Sequence, residues 1–187
     1  MSTDTPRFSA FDGFKRIASG PLAEVALQVR RAERDATRPI LIFDDRTGAP
    51  LDIDTRGTDA EIAARFAASE TACEPGEPRG RGRPKLGVVA REVTLLPRHW
   101  QWLAAQPGGA SITLRRLVEA ASRNPEALLR SARERTYRFM SALGGDLPGF
   151  EAATRALFAG DQAQFEQRLH DWPKDVREHA LRLLTPA

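Results

Sequence analysis

The chain has 187 residues, with 28 Lys and Arg against 25 Asp and Glu, three His and one Cys. That length can bury a real core, as one compact domain plus a smaller one or as two small domains. The lone Cys73 excludes an internal disulfide and a cysteine metal cluster within one chain, and no apolar run approaches the roughly 18–20 residues of a membrane-spanning helix.

In chain order, Phe8-Ser9-Ala10-Phe11 and Phe14-Lys15-Arg16-Ile17 flank Asp12-Gly13, a dipeptide suited to a two-residue turn, and predict a β-hairpin. Pro21 opens a helix in which Leu22, Val25, Ala26 and Val29 recur at helical spacing, with Arg30, Arg31 and Arg34 toward its C-terminal end. Ile40-Leu41-Ile42-Phe43 reads as a buried strand, Asp45-Arg46-Thr47-Gly48 as a turn and Leu51-Asp52-Ile53-Asp54 as a half-exposed strand. Thr58-Asp59-Ala60-Glu61 forms a capping box before Ile62, Ala63 and Phe66. Residues 1–68 are thus expected to form a small ββαββα domain.

Residues 69–87 lose apolar periodicity and read as a flexible linker. Residues 88–187 follow as a short strand, Glu92 to Leu96, and then helices only. Pro97 starts the first helix, Ser111 caps the second, and Asn124-Pro125 starts a third that ends at Gly144-Gly145; Pro148, Asp161 and Pro173 begin three more. The fold class expected is α+β: the N-terminal ββαββα unit, a basic linker, then a short strand and a mainly α-helical C-terminal region.

The modest net charge of +3 hides a strong asymmetry. Residues 1–78 carry 10 basic against 14 acidic side chains, residues 79–138 carry 13 against 4, and residues 139–187 carry 5 against 7. A basic middle between acidic ends is the electrostatic footprint of a segment that meets a polyanion.

Within that middle, Arg79-Gly80-Arg81-Gly82-Arg83-Pro84-Lys85 alternates arginine with glycine and closes on proline. Glycine lets a backbone lie on the floor of a narrow minor groove, arginine enters its enhanced negative potential, and proline keeps the strand extended. Arg81-Gly82-Arg83-Pro84 resembles the core of the AT-hook, which implies contact with A·T-rich duplex DNA through Arg79, Arg81, Gly82, Arg83, Pro84 and Lys85.

A second pattern follows. Arg91-Glu92-Val93-Thr94-Leu95-Leu96-Pro97, a helix through Trp100 and Leu103, a Gly108-Gly109 turn and Ser111-Ile112-Thr113-Leu114-Arg115-Arg116-Leu117-Val118 give strand, helix, turn, helix. This resembles the ribbon-helix-helix repressors. The resemblance implies an obligatory homodimer whose paired strands enter the major groove, with the second helix's N-terminus on a phosphate. Glu92 and Thr94 share a face with Leu96 where the usual ribbon has apolar residues, so a strand ending one residue early would turn Val93 and Leu95 into the dimer core. Glu92 and Thr94 would then face bases, Arg91 and Arg98 the backbone, and Ser111 and Arg115 the phosphate side of the second helix. An ordinary helical hairpin with a short edge strand is the alternative.

As a whole the chain resembles a bacterial family known as a domain of unknown function. Gly82-Arg83-Pro84-Lys85-Leu86-Gly87-Val88-Val89, Leu95-Leu96-Pro97-Arg98-His99-Trp100 and Phe139-Met140-Ser141-Ala142 carry the likeness. The family implies no activity.

Other constellations point elsewhere. Asp44, Asp45, Asp52 and Asp54 sit in two adjacent strand-like segments that could bring four carboxylates together for Mg²⁺ or Ca²⁺, or else stand as solvated turn and exposed-strand residues. His99, His170 and His179 show no metal-ligand or nucleophile spacing, and no phosphate-binding glycine loop occurs. Arg130, Arg133, Arg135 and Arg138 on the third helix offer a second phosphate-facing surface or a solvated face. Trp100 and Trp102 point to different faces of one helix, so only one can pack fully in a single core.

The expectation is a dimeric DNA-binding protein, a bacterial transcriptional regulator or nucleoid-associated factor. It is expected to be cytoplasmic, since Met1-Ser2-Thr3-Asp4 lacks an export pattern, and to have no enzymatic role, no cofactor, no metal and no membrane partner. The alternative is a protein-protein interaction module with a solvated basic linker and an unknown protein partner.

Overall fold

The computed structural model describes residues 7–36, 38–71 and 91–185. The fold is α+β, and the described chain divides into two compact units. One comprises the described parts of Met1–Glu70 and Leu128–Ala187; the other comprises those of Thr71–Ala127.

The first unit is built on a four-stranded antiparallel sheet. Its strands β1 (Phe8–Asp12), β2 (Lys15–Gly20), β3 (Ile40–Asp44) and β4 (Pro50–Leu51) lie in the order β2-β1-β3-β4. β1 and β2 form the expected hairpin, but Asp12 pairs with Lys15, so the two-residue turn is Gly13-Phe14, one position later than the Asp12-Gly13 turn read from the sequence. Gly13 takes φ +56, the left-handed value that the first position of a type II′ turn needs. The expected strand 51–54 is shorter than its alternation suggested: only Leu51, opposite Ile42, joins the ladder. Asp52 and Asp54 lie beyond it in irregular backbone.

Strand alternation sends Ala10 and Ile42 to one face, where they pack with Val25 and Val29 of α1 (Leu22–Ala32). The capping box is formed as expected. Thr58 donates its N–H to Glu61 Oε2 (2.7 Å) and accepts the Glu61 N–H at Oγ1 (3.3 Å), starting α2 (Asp59–Thr71), whose Ile62 and Phe66 pack on Ala26 of α1. The Thr58 backbone N–H, followed by its hydroxyl, holds the Glu61 carboxyl below the usual range.

The opposite sheet face carries the larger core. Phe11 and Phe43 pack with Phe139 and Met140 of α5 (Pro125–Gly144), Ala153 and Leu157 of α6 (Phe150–Ala159), Phe165 of α7 (Gln162–Arg168) and Val176, Ala180 and Leu183 of α8 (Lys174–Leu184). Phe43 and Phe139 meet edge to face at 5.0 Å between ring centres, and Phe11 lies 5.4 Å from Phe139, an arrangement that adds to the area term. The expected boundary between residues 1–68 and 88–187 does not separate two cores: the sheet's second face is apolar, and the helices from residue 128 onward supply its cover.

Helix starts follow their punctuation. Asn124 Oδ1 accepts the Glu126 N–H (2.9 Å) and Asp161 Oδ1 the Gln164 N–H (3.0 Å), satisfying donors that the first turns of α5 and α7 leave open. α6 begins at Phe150, after a left-handed Gly149, two residues later than Pro148 suggests.

The second unit contains α3 (Pro97–Ala104) and α4 (Gly109–Ser122), packed on each other, with Leu103 and Thr113 buried. Two expectations are corrected here. Ser111 is not a cap: Gly108, at φ +85, occupies the cap position and α4 begins at Gly109, placing Ser111 inside the first turn. Residues 91–96 form no strand and pair with nothing among the described residues, because a strand exists only through a ladder partner and the single chain supplies none.

Candidate functional site

The predicted DNA-contacting residues fall into two sets. Arg79, Arg81, Gly82, Arg83, Pro84 and Lys85 lie outside the described residues, as does Cys73. Arg91, Glu92, Thr94, Arg98, Ser111 and Arg115 all lie in the second unit and all are exposed. Arg91, Glu92 and Thr94 stand in the segment leading into α3, and Arg98 is in that helix's first turn. Ser111 and Arg115 are one turn apart on α4, Arg115 Nε donating to the Ser111 carbonyl (3.2 Å). Five arginines of this unit are described, and only Arg123 has a carboxylate partner, Glu119 Oε1 at 2.6 Å. The other four keep guanidinium groups available to an anion.

Apolar side chains accompany them. Trp100 is 42% and Trp102 52% exposed, so neither packs into a core, and Ile112, Leu117 and Val118 on α4 are exposed as well. Among the described residues of these two helices only Leu103 and Thr113 are buried.

Of the four arginines of α5, Arg135 and Arg138 are engaged within the first unit. Arg135 donates from Nε to the Leu183 carbonyl (2.6 Å) and from Nη2 to that of Thr185 (2.7 Å), closing the last turn of α8. Arg138 reaches the Thr47 carbonyl (3.4 Å) and Glu134 (3.5 Å). The charge of residues 79–138 is therefore shared between the units: Thr71–Ala127 carries nine basic and five acidic residues, while the remainder carries 19 and 20.

A polar cluster that sequence spacing did not reveal lies in the first unit. Arg182 Nη2, on α8, is 2.8 Å from Asp45 Oδ2, 3.0 Å from Ser9 Oγ and 2.8 Å from His179 Nδ1. Ser9 Oγ donates to Asp45 Oδ2 at 3.1 Å. A guanidinium only donates, so Nδ1 accepts, and the neutral ring carries its proton on Nε2. That nitrogen faces Asp45 Oδ1 at 3.4 Å, and neither atom has a hydrogen-bond partner among the described residues.

His179 is fully buried against Phe11 and Phe139, with ring centres 5.2 and 4.4 Å away. Burial, reinforced by the nearby Arg182 and Arg16 charges, pushes its pKa down to about 3. Burial raises the Asp45 carboxyl above its ordinary range against the pull of Arg182, and lowers the Arg182 guanidinium against the pull of Asp45. Ser9 and His179 have no exposed surface, so the cluster's chemistry is that of a fastener holding α8 to β1 and to the turn after β3. The Arg16 N–H, donating to Asp175 Oδ2 at 2.8 Å, adds a second tie between β2 and α8.

Of the other candidate aspartates, Asp44 and Asp54 serve turns and ion pairs. Asp44 Oδ1 accepts the Arg46 N–H (2.8 Å), and Asp54 accepts that of Arg56 (3.0 Å) and faces Arg65 (3.6 Å). Among the described residues no three His, Cys, Asp or Glu side chains gather as a metal would require. No described helix is long and apolar enough to cross a membrane.

The sequence matches, over residues 7–184, the family model described as "Uncharacterized protein conserved in bacteria (DUF2239)", in agreement with the whole-chain resemblance read from its motifs. No curated protein and no solved structure matches it.

Proposed function

We propose, for a chain that belongs to the DUF2239 family of bacterial proteins, that it binds double-stranded DNA as a homodimer and acts as a transcriptional regulator or nucleoid-associated factor. The observation that carries this reading is the concentration of unpaired cationic side chains in Thr71–Ala127. Arg91, Arg98, Arg115 and Arg116 are exposed without carboxylate partners among the described residues, next in sequence to the arginine-glycine run Arg79–Lys85. A net +4 there against −1 in the rest of the chain attracts a phosphodiester backbone, and release of its counterions supplies affinity without base contacts.

In this reading Arg79, Arg81, Arg83 and Lys85 follow the minor groove, with Gly82 and Pro84 shaping the backbone. Residues 91–96 gain a ladder partner only from a second copy, which brings Glu92 and Thr94 to the major groove, Arg91 and Arg98 to the flanking phosphates, and the first turn of α4 with Ser111 and Arg115 to another. The helical unit and its exposed Trp100, Ile112, Leu117 and Val118 are consistent with such pairing. No catalytic step and no cofactor enter.

The same exposed apolar residues also favour a second reading, a module that docks a protein partner. A salt-dependent mobility shift with mixed-sequence and A·T-rich duplexes separates the two. DNA binding predicts a retarded complex that dissolves as salt rises, whereas a docking module leaves the duplex unshifted and captures a partner that survives nuclease treatment.

A further inference from the structure

In the first unit, α5, α6, α7 and α8 enclose a cleft of about 440 Å³, within the range in which proteins hold small molecules. Its lining mixes apolar side chains, of which Leu129, Leu181 and Leu184 keep accessible surface, with Arg133, Asp161, Gln162 and Glu166. Arg133 enters from α5 and is partly buried. Unlike Arg135 and Arg138, it makes no hydrogen bond or ion pair among the described residues.

The carboxylates of the same wall are better provided for. Asp161 Oδ1 takes the Gln164 N–H at 3.0 Å and Glu166 Oε1 the Gln162 side-chain N–H at 2.8 Å. The Arg133 guanidinium lies over Gly160, the left-handed residue ending α6; a Cβ there would sit 2.5 Å from Nη2, so the backbone leaves room for the guanidinium.

The Arg133 guanidinium is partly buried and keeps its N–H fork unused by any acceptor among the described residues, and a carboxylate is the group whose two oxygens match that fork. The accessible surfaces of Leu129, Leu181 and Leu184 fit an apolar body attached to that carboxylate. Asp161 and Glu166 favour one negative charge over two, because a phosphate dianion beside them would be repelled. We propose that this cleft binds a small apolar monocarboxylate, a medium-chain or arylalkanoic acid, with Arg133 holding the carboxylate. The site is independent of the DNA reading.

The test is titration of the full-length protein with octanoate and 4-phenylbutyrate, and with octanol and 4-phenylbutanol as uncharged counterparts, followed by calorimetry and amide chemical shifts. The expected result is saturable carboxylate binding with shifts confined to α5, the end of α6, α7 and α8, at least about tenfold tighter than the alcohols. Arg133→Gln, checked for an unchanged circular dichroism melt, is expected to lose a similar factor for the acids and nothing for the alcohols. Absence of saturation, shifts elsewhere, or equal affinity for acids and alcohols on the unmodified protein would each overturn the proposal, whatever the fate of the variant.

Discussion

Arg182 Nη2 stands 2.8 Å from Asp45 Oδ2, joining the last helix to the turn after β3 across 137 positions of sequence. Asp45 is only 12% exposed and Arg182 39%, so removing the cation strands a mostly buried carboxylate, while removing the carboxylate leaves a cation that can turn to water. Arg182→Ala should therefore cost more than Asp45→Asn, about 1–3 kcal/mol against about 1 kcal/mol. Denaturant unfolding of both variants checks the order, and a larger loss in Asp45→Asn would contradict it.

Gly48 and Arg135 impose a steric requirement. Gly48 has φ +68, and a Cβ on it would fall on the Arg135 carbonyl, 2.6 Å from its carbon, where α5 backbone cannot yield. Gly149 is also left-handed, at φ +74, but its nearest neighbour would be 4.0 Å away. Gly149→Ala should cost about 1 kcal/mol of conformational strain, and Gly48→Ala at least about 3 kcal/mol, with loss of the sheet-to-helix packing. Thermal unfolding of the two variants gives the comparison; similar melting temperatures would refute the close approach.

The buried imidazole sets a pH dependence. His179 has a folded pKa of about 3 against 6.5 for the free side chain. Below pH 6.5 the unfolded chain thus takes up a proton that the folded chain refuses. Its stabilising contribution is complete above that pH and is lost as pH falls, with a limiting slope of about 1.4 kcal/mol per unit. The raised Asp45 pKa acts with opposite sign, favouring the folded state as pH falls toward 3.8 and offsetting part of the loss at the acid end. Urea midpoints should fall between pH 7 and 5 for the unmodified protein and much less for His179→Gln. Equal slopes would show that the imidazole is not the source.

Association through the helical unit predicts a charge-sensitive oligomer. Val118 is 66% and Ile112 52% exposed on α4, so Val118→Glu and Ile112→Glu leave the folded monomer intact. Each should weaken self-association by at least about tenfold in sedimentation equilibrium, with the melting of the first unit unchanged. A monomer at every concentration, or an unaffected dimer, would contradict the pairing.

Legibility in the sequence divides along physical lines. Thr58 with Glu61, Asn124-Pro125 and Asp161 mark helix starts through contacts spanning two or three residues, so local chemistry was enough. Ile40-Leu41-Ile42-Phe43 was readable as a buried strand, but not that helices more than 80 residues away cover one of its faces. Ser9, Asp45, His179 and Arg182 come together from positions with no common spacing. One signal was available: His179 shares the stripe of Val176, Ala180 and Leu183 on α8, so an inward histidine was readable, though its partners were not. Ser111 misled because a glycine pair in left-handed geometry took over the cap.

The central claim is most directly tested by fluorescence anisotropy of the purified chain on A·T-rich and G·C-rich duplexes across a salt series, with Arg81→Ala/Arg83→Ala alongside. DNA binding through this basic unit predicts log affinity falling linearly with log salt concentration at a slope of about −0.9 per neutralised phosphate, and a greater loss on the A·T-rich duplex for the double variant. No binding to either duplex at low ionic strength would contradict it outright, and equal losses on both would reduce Arg79–Lys85 to a charged connector.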